Sequence, residues 1–132
     1  MSGSAVILSE KNPATLSERE RRVVAQGNIR NRLLALLPGH AFETIAQALE
    51  HIELPRGFVF SNPDTPAEEA YFIESGIGSV VAITPQGQRS EVGIFGREGM
   101  TPANVVLDTA STPYSIFMQI PGHGYRLPTR LL

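Results

Sequence analysis

The sequence predicts a mainly β domain with flanking helices, and three observations lead to this prediction. Apolar residues at helical spacing are confined to the first part of the chain, before about Leu54. Beyond Ile52, short apolar runs alternate with turn residues roughly every eight to twelve positions. Most of the 12 glycines and 10 prolines fall in this second part. Even spacing of short strands favours an antiparallel sandwich, jelly roll or barrel over parallel α/β units.

The overall composition restricts the classes of function. A chain of 132 residues with 42% hydrophobic and 18% charged residues predicts one domain with one core. Because there is no cysteine, disulfides, thiolate catalysis and zinc–thiolate sites are excluded. A net charge of −2 gives no basic footprint, so we expect no nucleic-acid partner for this chain alone. No apolar run approaches the roughly 20 residues of a membrane span, so we expect no membrane contact and a cytoplasmic location.

The N-terminal part predicts a tail and three helices. Residues 1–27 should form a loose tail and a short helix over Leu16–Gln26, with Thr15 and Glu18 at capping-box spacing. The main domain should cover residues 28–132. Two further helices, over Asn28–Leu37 and His40–Glu50, each carry one apolar stripe that should pack on the strands that follow.

The second part of the chain predicts six short strands. They are Phe58–Phe60, Tyr71–Ile73, Ile77–Thr84, Glu91–Phe95, Tyr114–Ile120 and Tyr125–Leu127. Breaks are expected at Gly76, at Gln86-Gly87 and at Pro121-Gly122. Gly76 should adopt a positive φ in a tight turn, because a residue with a Cβ resists that conformation.

The order of these motifs resembles the cyclic-nucleotide-binding-domain family, in particular the sensor domains of Crp/Fnr-type transcription regulators. The resemblance rests on Leu-Pro-Arg-Gly at 54–57, Tyr-Phe-Ile-Glu-Ser-Gly at 71–76 and a hairpin at Gln86-Gly87, after two helices. It covers about Leu33–Pro128. It implies an antiparallel double-stranded β-helix, a jelly-roll β-roll of cyclic-nucleotide-binding-domain type, in a regulatory sensing module rather than an enzyme.

The sequence departs from this family where the family's ligand should bind. Members that bind cyclic nucleotides have a phosphate-binding cassette, in which a Gly-Glu pair opens a helix and an arginine follows. Here Pro102-Ala103 occupies the place of Gly-Glu, and no arginine occurs between Val105 and Gln119. The resemblance therefore implies a degenerate cassette, and cyclic AMP or GMP as a cofactor is disfavoured.

The resemblance still places candidate ligand-binding residues in this segment: Arg97, Glu98, Gly99, Thr101, Pro102, Ala103, Asn104 and Thr112. Thr101 is a good cap and Pro102 suits the first helical position, so a helix N-terminus could open there. The expected partner is a small-molecule or anionic effector, with a plain helix cap that binds no ligand as the alternative, and a homodimer is also left open.

A second departure concerns the C-terminus. Regulators of this type continue into a dimerisation helix and a helix-turn-helix, whereas Pro128–Leu132 would be only the opening of that helix. Either the sequence is a fragment or the natural protein has lost this half, so we predict no DNA-binding domain in this chain.

The rival hypothesis is a cupin-like jelly-roll metalloenzyme. Cupins need clustered histidines with a downstream glutamate, and His51-Ile52-Glu53 is the nearest approach. We interpret His40, His51 and His123 as exposed residues of turns or helix ends, and predict neither a metal site nor catalytic residues.

Overall fold

The computed structural model describes residues 23–102 and 113–132. In chain order the helices are α1 (Arg32–Leu36) and α2 (Gly39–Ala46), with 3₁₀ turns at Gln26–Asn28 and Thr129–Leu131. The strands are β1 (Glu50–Leu54), β2 (Val59–Ser61), β3 (Glu69–Ile83), β4 (Arg89–Phe95), β5 (Met100–Thr101) and β6 (Tyr114–Pro128). The described strands form one antiparallel sheet, which confirms the predicted mainly β fold class.

Two long strands, β3 and β6, form the centre of the sheet. They pair with each other from Glu69 opposite Pro128 to Ala82 opposite Tyr114. Strands β1 and β2 pair with β6, while β4 and β5 pair with β3. The short strands are therefore all arranged around one antiparallel pair.

The tight turn predicted at Gly76 is wrong, although its positive φ is confirmed. Strand β3 runs without interruption through Gly76, whose φ is +95°. The ladder to β6 is irregular there, with register shifts between Ile73 and Ile77. A Cβ on Gly76 would lie 2.6 Å from the carbonyl oxygen of Ile120 and would also meet the methyl group of Met118. The glycine thus allows a bulge with close backbone approach, rather than a chain reversal.

The break predicted at Pro121-Gly122 is also wrong, because β6 continues through both residues. Pro121 lies where the β3–β6 ladder is irregular, which is where a strand tolerates proline. A Cβ on Gly122 would collide with the backbone of Ser75. The two long strands therefore approach each other closely at Gly76 of β3 and at Gly122 of β6, because neither glycine carries a Cβ.

The hairpin predicted at Gln86-Gly87 is confirmed. Gly87 has a φ of +85° and its N–H donates to the carbonyl of Thr84 at 2.8 Å. The Thr84 hydroxyl accepts from the backbone N–H of Gln88 at 3.0 Å. This turn joins β3 to β4.

The helix boundaries differ from the prediction. The helix predicted over Asn28–Leu37 begins only at Arg32, because Arg30 and Asn31 are recruited into a buried hydrogen-bond network described below. The helix predicted over His40–Glu50 ends at Ala46, and Glu50 already belongs to β1. Of the predicted helix Leu16–Gln26, only the last residues are described, and these are not α-helical. The predicted tail lies outside the described residues.

Two apolar clusters share the alternating side chains of β3. Ala70 and Phe72 pack under the helices with Leu34, Phe42 and Leu127. On the other face, Tyr71 and Ile73 pack inside the roll with Leu54, Phe60, Ile116 and Met118. Both faces of this part of β3 are therefore covered. Within the described ranges, no helix is long and apolar enough to cross a membrane.

Candidate functional site

The segment that follows β4, residues 96–102, includes β5 and is where the resemblance places the start of the cassette. We call it the cassette segment. The backbone N–H of Arg32 donates to the carbonyl of Arg97 at 2.6 Å, and Nδ2 of Asn31 donates to the carbonyl of Gly99 at 2.8 Å. Met100 and Thr101 then pair with β3 as strand β5. The segment is thus held by the start of α1 on one side and by β3 on the other.

A buried polar network underlies this attachment. Glu74 is only 4% exposed, and its carboxylate accepts from the backbone N–H groups of Arg30 at 2.9 Å and Asn31 at 2.7 Å. Asn31 is fully buried, caps α1 by accepting from the N–H of Leu34, and donates to the carbonyls of Ile73 and Gly99. Because buried polar groups must be paired, this network fixes the geometry of three chain segments at once. Sequence analysis missed Asn31, whose partners are remote in sequence.

The predicted site residues have different environments. Arg97 is exposed, and its guanidinium contacts no described residue through a hydrogen bond or ion pair. Glu98 bends back, so that its Oε1 accepts from the backbone N–H of Gly96 at 2.6 Å. The carbonyl of Gly99 is engaged by Asn31.

The remaining predicted residues lie further along the chain. Thr101 and Pro102 are buried at the end of the segment. Ala103, Asn104 and Thr112 lie outside the described residues, as do the residues that would continue a helix opening at Thr101-Pro102. Their roles therefore stay predictions.

A cavity of about 290 Å³ opens between β2 and the loop that leads into β3. Its lining includes Phe60, Tyr71, Glu68 and Glu69, together with polar residues of the 61–65 stretch, and no lysine or arginine of the described residues contributes to it. An acidic lining is a poor site for a phosphate and suits an uncharged or cationic group better. Sequence analysis missed this cavity; the turn-rich stretch Asn62–Pro66 was its only signal.

A charged cluster lies beside this cavity. Arg126 forms an ion pair with Glu50 at 2.6 Å, and its Nε lies 3.9 Å from Glu69. The hydrogen bond from Arg126 to Glu50 raises the pKa of the guanidinium above its usual range. Burial raises the pKa of Tyr71, against a smaller opposing effect of Arg126. Arg126 is thus already neutralised by glutamates, which leaves it poorly placed to bind an anion.

On the outer face of the sheet, two histidines lie side by side. His51 is in β1 and His123 in β6, so the expectation that both lie in turns or helix ends is wrong. Nε2 of His51 is 3.0 Å from Nδ1 of His123. Their separation of 72 positions explains why no spacing rule could find the pair. His40, by contrast, lies at the start of α2, as predicted.

Comparisons with known proteins place this geometry in a fold family. No protein-family model matches the chain, and a search of curated proteins finds no match either. Among solved structures, the sensor domain of the transcriptional regulator DNR from Pseudomonas aeruginosa is similar, with a TM-score of 0.63 and 19% identity. That similarity covers 76% of this chain and 67% of the sensor domain. The chain has the cyclic-nucleotide-binding β-roll fold.

Two kinase regulatory subunits share the fold. The subunit of a cAMP-independent protein kinase A from Trypanosoma cruzi, bound to guanosine, has a TM-score of 0.72 and 18% identity, over 86% of this chain and 41% of that one. A mutant of the Trypanosoma brucei subunit, bound to cAMP, has a TM-score of 0.71 and 19% identity, over 86% and 42%. One of its three substitutions replaces threonine with arginine. The chain thus spans less than half the length of these subunits.

The cyclic-nucleotide-binding β-roll confirms the fold that the motif order implied. The similar structures described above are a regulator and kinase regulatory subunits, so a cupin-like metalloenzyme is not favoured.

Proposed function

We propose that this chain is a regulatory sensing module whose effector is a small molecule without a cyclic phosphate. The observation that carries the proposal is the charge content of the cassette segment in a cyclic-nucleotide-binding β-roll. Arg97 is its only basic side chain, and its only carboxylate, on Glu98, is bonded to the backbone of Gly96. Together with Pro102-Ala103 in the place of Gly-Glu and the absence of arginine from Val105 to Gln119, this supports the loss of the charged pair that would take a ribose hydroxyl and a phosphate.

The loss of cyclic-nucleotide affinity can be estimated from the missing contacts. A hydrogen bond to a charged group contributes roughly 1.5–3 kcal/mol. Losing both the glutamate and the arginine contact would weaken binding by roughly two to four powers of ten, at about 1.4 kcal/mol per decade. A helix N-terminus near Thr101 would restore only about 0.3–1 kcal/mol when exposed, or up to ~2 when partly buried. Cyclic AMP and cyclic GMP should therefore bind weakly or not at all.

The proposed class of effector follows from the charged residues that line the cavity and the cassette segment. The acidic cavity beside Tyr71 favours uncharged or cationic groups, and guanosine, the ligand of the Trypanosoma cruzi subunit, carries no phosphate. An uncharged nucleoside is the first class to test. The exposed guanidinium of Arg97 could pair with one anionic group, so simple anions are the second class of effector to test.

The structure offers a route from ligand to output. Asn31 and Arg32 bond the cassette segment directly to the start of α1. A ligand that moves Gly99 or Arg97 would have to break these bonds or carry α1 with it. Buried networks have few alternative arrangements. We therefore propose that α1 shifts its position when a ligand moves the cassette segment. The net charge of −2 leaves no basic footprint, so specific binding of duplex DNA by this chain alone is not expected.

Isothermal titration tests the proposal with cyclic AMP, cyclic GMP, guanosine, adenosine and inorganic pyrophosphate on the full chain. We expect no cyclic-nucleotide binding at micromolar concentration and a measurable constant for a nucleoside. The matched gain-of-function variant is Ala103→Glu with Thr112→Arg, which restores the two charged groups at the positions the resemblance indicates. It should gain cyclic-nucleotide affinity. A micromolar constant for either cyclic nucleotide in the wild type would contradict the proposal.

A further inference from the structure

We infer that His51 and His123 together form a binding site for a divalent transition-metal ion on the outer face of the sheet. The inference is independent of the proposed sensing function, since neither histidine belongs to the cassette segment or lines the cavity. It rests on the arrangement of the two imidazoles across β1 and β6.

The distance between the two nitrogens fits a shared metal ion. Imidazole nitrogens lie about 2.0–2.1 Å from zinc, so two such ligands are about 2.9 Å apart at a right angle and about 3.3 Å apart at a tetrahedral angle. Nε2 of His51 and Nδ1 of His123 are 3.0 Å apart. The separation of the two nitrogens therefore lies within the range that one shared ion requires.

The backbone and a neighbouring ring hold the pair in place. His51 pairs with Tyr125 in the β1–β6 ladder, and Tyr125 presents its ring to that of His51 in an edge-on contact with centroids 5.5 Å apart. The backbone N–H of His123 donates to Oγ of Ser75 on β3 at 3.3 Å. Both rings are thus carried by paired strands, which keeps the loss of freedom on binding small.

The surroundings suit a cation. Glu53 lies directly opposite His123 in the ladder, on the same outer face, and its carboxylate bonds to no described residue. It places a negative charge beside the ion. Among the described residues, no group of three or more candidate ligands is assembled, so water would complete the coordination. Imidazole selects copper, nickel and zinc over calcium or magnesium, and affinity should rise from nickel to copper.

The protonation chemistry is simple. The 3.0 Å separation of the two nitrogens is that of a hydrogen bond, in which one ring donates and the other accepts. A metal ion needs the lone pair of both nitrogens, so the donating neutral ring must first move its proton to its other nitrogen.

The test is titration of the untagged full chain with NiCl₂ in a buffer that does not chelate metals. We expect one ion per chain. His51→Gln and His123→Gln should each weaken binding at least about tenfold, since even the loss of a partner behind a ligand costs about 10–100-fold. His40→Gln is the matched control, because it removes the third histidine, on α2, and should leave binding unchanged.

A second measurement needs no variant. Substoichiometric Cu²⁺ should broaden the imidazole proton resonances of His51 and His123 in the NMR spectrum, while those of His40 stay sharp. Broadening of all three histidines alike, or nickel affinity that survives loss of His51 and His123, would overturn the inference.

Discussion

Replacing Asn31 with alanine should destabilise the fold by about 3 kcal/mol. Asn31 is fully buried and makes contacts in three directions. Its Oδ1 accepts from the N–H of Leu34 at 3.1 Å, and its Nδ2 donates to the carbonyls of Ile73 at 3.0 Å and Gly99 at 2.8 Å. Alanine removes all of these contacts, in a place where water cannot readily replace them.

The magnitude follows from the individual contacts. Loss of the N-cap costs about 1 kcal/mol. Each carbonyl left without its donor in a buried site costs about 1–3 kcal/mol, with Gly99 at the lower end because it is half-buried. Contacts that share one side chain do not add fully, so about 3 kcal/mol is the expected total. That is a large share of a typical stability of about 5–15 kcal/mol.

Urea denaturation measures this effect, and a second variant divides it. Asn31→Ser keeps a capping oxygen but loses both donors, so it should recover only the cap share of about 1 kcal/mol. The slope of the unfolding free energy against urea concentration should stay unchanged, because the surface exposed on unfolding is the same.

Gln26→Ala is the matched control. Gln26 also donates its amide to backbone carbonyls, those of Leu34 at 3.0 Å and Leu37 at 2.8 Å, but from a half-buried position that solvent reaches. Water can take over there, so its loss should cost about 1 kcal/mol or less. If Asn31→Ala costs no more than Gln26→Ala, the assignment of Asn31 as the anchor of the cassette segment is wrong.

Two further predictions concern β3. Gly76→Ala should cost about 2–4 kcal/mol in thermal or urea unfolding, because the new Cβ adds contact with the backbone of Ile120 to the strain of a positive φ. Gly87→Ala should cost only about 1 kcal/mol of strain, because nothing lies near its Cβ; equal costs would show that crowding at Gly76 is unimportant. Burial raises the pKa of Tyr71, so the native chain retains a proton that the unfolded chain loses near pH about 10. Stability should therefore fall as the pH rises above about 10, and Tyr71→Phe should reduce that fall; an unchanged pH dependence of the urea midpoint would contradict this.

Local sequence patterns predicted the fold class because strand and helix periodicity depend only on neighbouring residues. The hairpin at Gly87 was predictable for the same reason, since its turn is closed by Thr84 and Gln88 nearby. Gly76 shows where this reasoning fails. A glycine with positive φ can turn a chain or bulge a strand, and the choice depends on Ile120 and Pro121, which are remote in sequence.

The candidate site was less predictable than the fold. Spacing and family resemblance could point to Arg97 and Glu98, but could not show that Glu98 accepts a hydrogen bond from the backbone N–H of Gly96. Asn31 is an ordinary polar residue in sequence, and only the fold brings it to Glu74, 43 positions away. The histidine pair likewise exists only because β1 and β6 are neighbours. Functional contacts across a sheet depend on strand order, which no local pattern encodes.

The central place of β6 has a consequence for how the chain acquires its structure. In the described sheet, β1 and β2 have no strand partner except β6, and the longest ladder of all joins β6 to β3. During synthesis, the strands made first must wait for the strand made last. Pairings between such distant segments carry a large loop-closure cost, so folding should be slow and nearly all-or-none. Until β6 emerges from the ribosome, the apolar surfaces of β1, β2 and β3 would be exposed, which makes chaperone contact during synthesis a natural requirement of this topology.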